Sequence, residues 1–211
     1  CLKNSGHGPL RNSKSIFWIK HKTMRDRIKD ILLESIQVKE ELLRTSIGKI
    51  IEITDLITDC LKKNGKVILF GNGGSASDSQ HIAAEFVGRF KKDRNALAAI
   101  ALTTNTSILT ALANDYGYEL VFARQIEALG KKNDVAIGIS TSGKAKNVVL
   151  GIKQAKKMGL KTIALTGADG GELTKLTDIS LAVPSSVTAR IQEAHITVGH
   201  IVCELIAQAV C

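Results

Sequence analysis

Apolar positions along this chain of 211 residues recur first at helical spacing and then in short continuous runs. Between residues 24 and 63 they recur at helical spacing without a proline, which predicts one or two long helices. The members of this apolar stripe are Ile28, Ile31, Leu32, Ile36, Leu42, Leu43, Ile47, Ile50, Ile51, Ile57 and Leu61. The stripe is longer than one sheet face needs, so it packs either on a partner subunit or on the chain's own sheet.

Short apolar runs rich in β-branched residues then alternate with helical patterns. The predicted strands are Val67–Phe70, Leu97–Ala101, Val135–Ser140, Thr162–Thr166 and Ile179–Val183. The predicted helices are Ser75–Arg89, Ser107–Ala113, Glu119–Leu129, Ala145–Met158, Glu172–Leu176 and a last one from Thr188 to the end. This alternation predicts an α/β fold, a doubly wound five-stranded parallel sheet, with long N-terminal helices. Ligands bind such sheets at the carboxyl ends of the strands, beside a topological switch point.

Residues 1–23 show no sustained period and contain Gly6, Gly8 and Pro9. Because Met24 begins the helical pattern, we expect residues 1–23 to be an appended or upstream extension, disordered and outside the fold. Residues 24–211 are then expected to form a single domain. No apolar stretch follows the charges of the extension, which argues against a secretory signal.

The formal net charge of +9 raises the question of nucleic acid. Five of the basic residues lie in the first 23 positions, where there is no acid, so the rest of the chain is only mildly basic. This distribution favours an ordinary basic enzyme with no nucleic-acid partner, and no apolar run is long enough for a membrane partner. The four cysteines show no paired or metal-binding spacing, which is typical of reduced thiols in a cytoplasmic protein.

The first candidate site is the loop Gly71-Asn72-Gly73-Gly74-Ser75, between a predicted strand and a predicted helix. Glycines there let a phosphorylated or polyhydroxyl ligand approach the backbone at the positive end of the helix. The helix that follows carries His81 and Glu85 on one face, because they are four residues apart. The segment therefore offers a ligand loop together with an acid/base or metal pair.

The second candidate site, Ser140-Thr141-Ser142-Gly143, also lies between a strand and a helix. Its hydroxyls are either plain helix caps or donors to a phosphate. A second loop of this kind at a strand end favours the phosphate interpretation. Neither loop matches a nucleotide P-loop or a dinucleotide fingerprint. Further along, Asn114 and Asp115 are expected in a turn, where they either shape the turn or contact sugar hydroxyls.

The last predicted helix carries Gln192, His195 and His200 among apolar residues. Such residues are often ordinary helix positions, but His81, Glu85, Gln192 and His200 are also suitable donors for a zinc-like ion. Gln192 and His200 are separated by ~12 Å along a helix axis. For both to reach one ion, the helix must be irregular or the ligand set must be completed across an interface. Together with the apolar stripe, this predicts a symmetric homo-oligomer with sites near its subunit contacts.

The two loops, His81-x-x-x-Glu85, Asn114-Asp115 and the segment Arg190–His200 together resemble the sugar isomerase (SIS) domain family, and within it the bacterial phosphoheptose isomerases. The resemblance runs from about Met24 to the end of the chain. It implies a flavodoxin-like SIS domain, a homotetramer with one zinc ion per site, and conversion of sedoheptulose 7-phosphate to D-glycero-D-manno-heptose 7-phosphate through an enediol. That reaction is the first step towards ADP-heptose for lipopolysaccharide or capsule.

The resemblance also implies roles for single residues. Glu85 and His200 match the acid/base pair, and His81, Glu85, Gln192 and His200 match the zinc ligands. The substrate contacts that it implies are Asn72, Gly73, Gly74, Ser75, Glu85, Asn114, Asp115, Ser140, Thr141, Ser142 and Gln192. Many family members have a further serine where this chain has Ala145, so one phosphate or hydroxyl contact is missing here.

The alternative function is that of a related non-catalytic SIS protein, which binds the bacterial replication initiator. That protein shares the fold and much of residues 108–129. It generally lacks an acid at the position of Glu85 and a histidine at the position of His200. Both residues are present in this chain, which favours the enzyme.

Overall fold

The structure is a computed structural model that describes residues 23–89, 91 and 94–210. Two helices come first, α1 (Met24–Thr45) and α2 (Ile47–Lys62). The elements that follow are β1 (Val67–Gly71), α3 (Gly74–Val87), β2 (Ala99–Ala101), α4 (Thr106–Tyr116), a 3-10 turn (Tyr118–Leu120), α5 (Val121–Leu129), β3 (Val135–Ser140), α6 (Lys146–Lys157), β4 (Lys161–Gly167), α7 (Gly171–Leu176), β5 (Ile179–Val183) and α8 (Thr188–Ala209).

Internal contacts divide the chain into two units, one up to Leu33 and one from Glu34 onward. In the first unit, Ile28, Ile31 and Leu32 of α1 are each more than half exposed. The second unit contains the sheet and the remaining helices. The expectation for residues 1–23 lies, apart from Thr23, outside the described residues, and a single domain over residues 24–211 stays a prediction.

The second unit is built on a five-stranded sheet in the order β2-β1-β3-β4-β5, with every pair parallel. This confirms the predicted doubly wound fold. From β1 the chain crosses to β2 on one side, and β3 then pairs with β1 on the other side. The topological switch point therefore lies between the carboxyl ends of β1 and β3, where the two candidate loops begin.

Side chains of the central strands alternate between two cores because successive residues point to opposite faces of a sheet. Val67 and Leu69 of β1 pack on the face covered by α2, α3 and α8, whereas Ile68 and Phe70 pack on the face covered by α5, α6 and α7. All four side chains are 0% exposed, which explains why β1 is a continuous apolar run.

Of the one or two helices predicted over residues 24–63 the structure has two, and its larger departures from the sequence prediction are at β2 and α4. The helical pattern over residues 24–63 is interrupted at Ser46, next to Thr45, whose hydroxyl donates to the carbonyl of Glu41. Such side-chain bonds compete with continuation of a helix. Strand β2 is shorter than predicted, and α4 continues to Tyr116. Asn114 and Asp115 therefore lie in the last turn of a helix, and the turn that was predicted there begins only at Gly117, at φ 86°.

No helix in the described part of the chain is long and apolar enough to cross a membrane. Cys60 in α2 and Cys203 in α8 are free, buried thiols. Burial raises the pKa of Cys60 to about 11 and that of Cys203 to about 12. Both therefore stay protonated at neutral pH, as inert thiols do. Cys1 and Cys211 lie outside the described residues.

Candidate active site

The loop after β1 contains two glycines at which a larger residue would be strained or crowded. Gly73 has φ 54°, in the region that favours glycine. At Gly74 a Cβ atom would lie 2.3 Å from Nε2 of Gln192, so the side chain of Gln192 occupies the space over this glycine. Ser75 is buried, whereas Gly73 and Gly74 are exposed. The loop thus presents open backbone at the start of α3, with the amide of Gln192 beside it.

The loop after β3 is held by the loop after β4. Gly143 has φ 63°, and a Cβ atom there would lie 2.0 Å from the carbonyl oxygen of Gly170. The amide of Gly167 also donates to the carbonyl of Thr141 at 3.1 Å. Ser140 is buried, and Ser142 is exposed, with its hydroxyl accepting from the Lys144 amide. The exposed hydroxyl stands at the start of α6, where anions are favoured.

A pair of asparagines joins the loop after β1 to the first turn of α6, which follows the second loop. Nδ2 of Asn72 donates to Oδ1 of Asn147 at 2.8 Å, and Nδ2 of Asn147 donates back to Oδ1 of Asn72 at 2.8 Å. The hydroxyl of Tyr118 adds a 3.3 Å bond to the same Asn72 oxygen. Sequence reasoning missed Asn147 and Tyr118, because neither stands in a recognisable motif.

Three chemically active side chains meet where α3 lies beside α8. Nε2 of His81 is 3.2 Å from Oε1 of Glu85 and 2.9 Å from Nε2 of His200. One donor atom from each residue lies within 4.8 Å of the others. Gly199 allows this close approach, because a Cβ atom there would lie 2.6 Å from Cδ1 of Ile82 on α3. Spacing predicted His81 with Glu85 on one helix, and the fold brings His200 to them.

The remaining predicted residues lie elsewhere around the site. Gln192 lies over Gly74, at the first residue of α3, whereas His81 is seven residues further along that helix. Because α8 is α-helical from Thr188 to Ala209, an irregular helix is not the explanation for a shared ion. Asn114 and Asp115 are exposed and joined by a 2.8 Å bond from the amide to the carboxylate. A fourth ligand role for Gln192 and sugar contacts by Asn114 and Asp115 stay predictions.

Asp78 is a further acid near the site that sequence reasoning did not single out. It lies one turn before His81 on α3, so the two side chains share a helix face. Burial raises its pKa to about 6, against the smaller opposing effect of His81. Its Oδ2 atom is buried and has no hydrogen-bond partner among the described residues. An apolar environment thus keeps this acid easier to protonate than usual.

His195, by contrast, is part of the core. It is 0% exposed, and its Nε2 lies 2.9 Å from the carbonyl oxygen of Thr166 in β4. Burial lowers its pKa to about 4. The imidazole is therefore neutral at pH 7, with Nε2 as donor and Nδ1 unpaired among the described groups. Its role is to tie α8 to the sheet.

The chain matches the model of the SIS domain over residues 32–167. It is also 53% identical over 188 residues to the phosphoheptose isomerase of Aquifex aeolicus, covering 89% of this chain and 98% of that protein. This chain belongs to the phosphoheptose isomerase family. Its members are isomerases, and the predicted fold and enzyme class are confirmed by this membership.

Solved structures of the family extend the likeness to the whole fold. The phosphoheptose isomerase of Neisseria gonorrhoeae is 43% identical, with a TM-score of 0.84 over 88% of this chain and 100% of that one. The enzyme of Francisella tularensis is 37% identical, with a TM-score of 0.86 over 89% and 100%. The described fold of this family member is thus that of the solved isomerases.

Proposed function

We propose that the chain interconverts sedoheptulose 7-phosphate and D-glycero-D-manno-heptose 7-phosphate through an enediol. The observation that carries this proposal is the cluster of His81, Glu85 and His200 beside two strand-end loops suited to a phosphorylated sugar. The names of the related enzymes support a heptose phosphate as substrate. The reaction would be the first step towards ADP-heptose for lipopolysaccharide or capsule, in the cytoplasm.

The reaction moves one proton between carbons and one between oxygens. Glu85 takes a proton from C1 of the ketose, which gives the enediol, and returns it to C2 to form the aldose. His200 carries the second proton from the C1 hydroxyl to the C2 oxygen, so the overall formula is unchanged. The 3.2 Å contact of His81 with Glu85 fixes the orientation of the carboxylate. Glu85 is only partly exposed, which limits competition from water.

Phosphate binding falls to the loop after β3. Ser140, Thr141 and Ser142 supply hydroxyls, and the start of α6 supplies a positive dipole end. Ala145 is the N-cap residue of α6 and makes no side-chain cap bond. Because alanine has no hydroxyl, this position also offers none to the phosphate. Asn72, Gly73, Gly74, Ser75, Asn114, Asp115 and Gln192 are proposed to contact the sugar.

The cluster fits a divalent ion, and we propose zinc. Two imidazole nitrogens and one carboxylate oxygen match the three protein donors of many catalytic zinc sites. His81, Glu85 and His200 would hold the ion, with Gln192 proposed as the fourth ligand. When bound, such an ion stabilises negative charge that develops on the enediolate oxygens. Elemental analysis of protein purified without chelator should find about one divalent ion per chain, and His81→Ala should lose it.

We also propose a homotetramer. The number of subunits is what the family resemblance implies, and self-association is supported by an apolar groove of about 320 Å³ between α1, α2 and α8. Exposed apolar residues line it, namely Leu43, Ile47, Ile51, Ile201 and Leu205. A second copy of the chain would cover these side chains. Because Ile201 directly follows His200, such an interface would lie beside the active site.

Glu85→Gln tests the proposed chemistry. The fold should persist, because this substitution keeps the size of the side chain. It removes the side chain's ability to carry a proton. Turnover of sedoheptulose 7-phosphate should fall ~10²–10⁴-fold, as expected for loss of a positioned acid or base. Glu52→Gln, on the exposed side of α2, is the matched control and should keep full activity. Near-normal turnover by Glu85→Gln would overturn the assignment. Absence of turnover in the unmodified protein would favour the initiator-binding alternative.

A further inference from the structure

The reciprocal pair of Asn72 and Asn147 joins the two sides of the topological switch point. Asn72 follows β1, and Asn147 lies in the first turn of α6, after β3. Asn147 is 4% exposed, so it does not itself meet a ligand. Its Oδ1 accepts from Nδ2 of Asn72 and from the amide of Val148 at 3.0 Å. Asn147 is thus anchored by its own helix and holds Asn72 from there.

The hydrogen bonds of Asn72 leave one group unused. Oδ1 accepts from Asn147 and from Tyr118, and one hydrogen of Nδ2 is donated to Asn147. An amide nitrogen carries two hydrogens, so one N–H of Asn72 remains available to a ligand. If the Asn72 amide were flipped, oxygen would face oxygen and NH₂ would face NH₂. The pair therefore fixes which end of Asn72 is turned outward.

We propose that Asn147 is a positioning residue for the isomerase, which fixes Asn72 as a hydrogen-bond donor to the sugar phosphate. The inference rests on the proposed function, in which Asn72 contacts the substrate. By joining the two strand-end loops, the pair also sets the spacing between the groups that bind the sugar and those that bind the phosphate. Binding of this kind is equal in ground and transition states, so its loss raises KM and leaves kcat nearly unchanged.

Asn147→Asp tests this positioning role, because the KM of the variant should depend on whether the new carboxyl is protonated. A protonated carboxyl reproduces the pair, because its O–H donates to Oδ1 of Asn72 and its carbonyl accepts from Nδ2. An ionised carboxyl instead sets a negative oxygen against Oδ1 of Asn72. The ratio of its KM to that of the unmodified enzyme should be about tenfold at pH 8.5, where the carboxyl is ionised, the loss of about one hydrogen bond, and should fall towards one as the pH is lowered far enough to protonate it.

Two further variants complete the kinetic test. Asn147→Ser removes both bonds and should raise KM about tenfold at every pH, with kcat nearly unchanged. Asn133→Asp makes the same exchange just before the amino end of β3, at the opposite end of that strand from Asn147, where Asn133 is exposed, and should leave KM unchanged. A ratio for Asn147→Asp that stays near one at pH 8.5, where the carboxyl is ionised, would overturn the proposal. A lowered melting temperature of Asn147→Ser with unchanged KM would overturn it as well, because a purely structural role gives that result.

A measurement without substrate separates this inference from the proposed function. In NMR spectra of the unmodified protein, the bonded Nδ2 hydrogen of Asn72 should exchange slowly with solvent, and Asn147→Ser should abolish that protection. Fast exchange in the unmodified protein would refute the pair, whatever the substrate is. Slow exchange without turnover of sedoheptulose 7-phosphate would instead leave the pair intact and reject the proposed reaction.

Discussion

Ser142 is the exposed hydroxyl of the loop after β3, at the start of α6. Ser142→Ala removes a proposed phosphate contact that is distant from the reacting carbons. We expect KM for sedoheptulose 7-phosphate to rise about tenfold with little change in kcat, the loss of about one hydrogen bond to a charged group. Steady-state kinetics measure both constants. Ser77→Ala, an exposed serine on α3, is the control for a lost hydroxyl.

The same role predicts that sedoheptulose without its phosphate is a very poor substrate. The loop after β3 would then have no anion to bind, and the binding free energy of the phosphate would be lost. Equal rates on the two sugars would contradict a phosphate role for Ser140, Thr141 and Ser142.

His195 gives the fold a pH dependence whose direction follows from its environment. Burial lowers its pKa from 6.5 to about 4, so the unfolded chain binds this proton more readily than the folded one. The contribution of neutral His195 to the free energy of unfolding is therefore fully present above pH 6.5. It is lost as the pH falls towards 4. The loss amounts to about 3 kcal/mol at 1.36 kcal/mol per pKa unit.

Denaturant unfolding at several pH values checks this prediction. His195→Leu should be less stable at pH 7, because the carbonyl of Thr166 loses its partner. Between pH 6.5 and 4, however, its stability should vary less than that of the unmodified protein. An equally steep decline in both proteins would show that other groups cause the acid sensitivity.

At the scale of elements, α6 packs on β1 through a glycine. A Cβ atom on Gly151 would lie 2.7 Å from Cε2 of Phe70, which is fully buried. Gly151→Ala should therefore destabilise the fold by about 1–3 kcal/mol through overpacking.

In α2, a Cβ atom on Gly48 would meet nothing within 4 Å, so Gly48→Ala should stabilise the protein by about 0.5–1 kcal/mol. Thermal unfolding of the two variants should thus shift in opposite directions.

Elements whose signal is local were predictable from the sequence. The strand β1 is buried on both faces, so an apolar run bounded by polar residues and glycines marks it clearly. The loops at its end and at the end of β3 could be paired in advance, because parallel strands place their carboxyl ends at one edge. His81 and Glu85 followed from helical spacing alone.

Elements that depend on distant partners were not predictable in this way. The extension of α4 through Asn114 and Asp115 contradicts the turn-forming tendency of these residues. The contact of His200 with His81 requires α8 to approach α3 at Gly199, and no spacing along the chain expresses that approach. For the same reason, the partnership of Asn72 with Asn147, 75 positions apart, was invisible.

For the whole molecule, the apolar groove of α1, α2 and α8 predicts how the proposed tetramer is disrupted. Ile51 is 51% exposed, so Ile51→Glu should cost the single chain little of its own core. In an interface it would bury an unpaired charge and should shift the assembly towards smaller species. Light scattering gives the mass of each species. Glu52→Lys, a charge change on the neighbouring exposed position, should keep the assembly of the unmodified protein.

The origin of the active residues can be tested by mixing subunits. Glu85 and His200 meet within a single chain, so we expect each proposed active site to take both from the same subunit. Oligomers mixed from Glu85→Gln and His200→Ala chains should therefore regain no activity after subunit exchange. Recovery of part of the activity would show that the pair acts across the interface.

The two buried thiols provide the protein with reporters of its own opening. Cys203 lies in α8, three residues after His200, and Cys60 lies in α2, so the two report on different helices of one hydrophobic core. Their raised pKa values keep them unreactive towards alkylating agents while the fold is closed. Pulsed alkylation read by peptide mass spectrometry would therefore time the exposure of each region, without any introduced label.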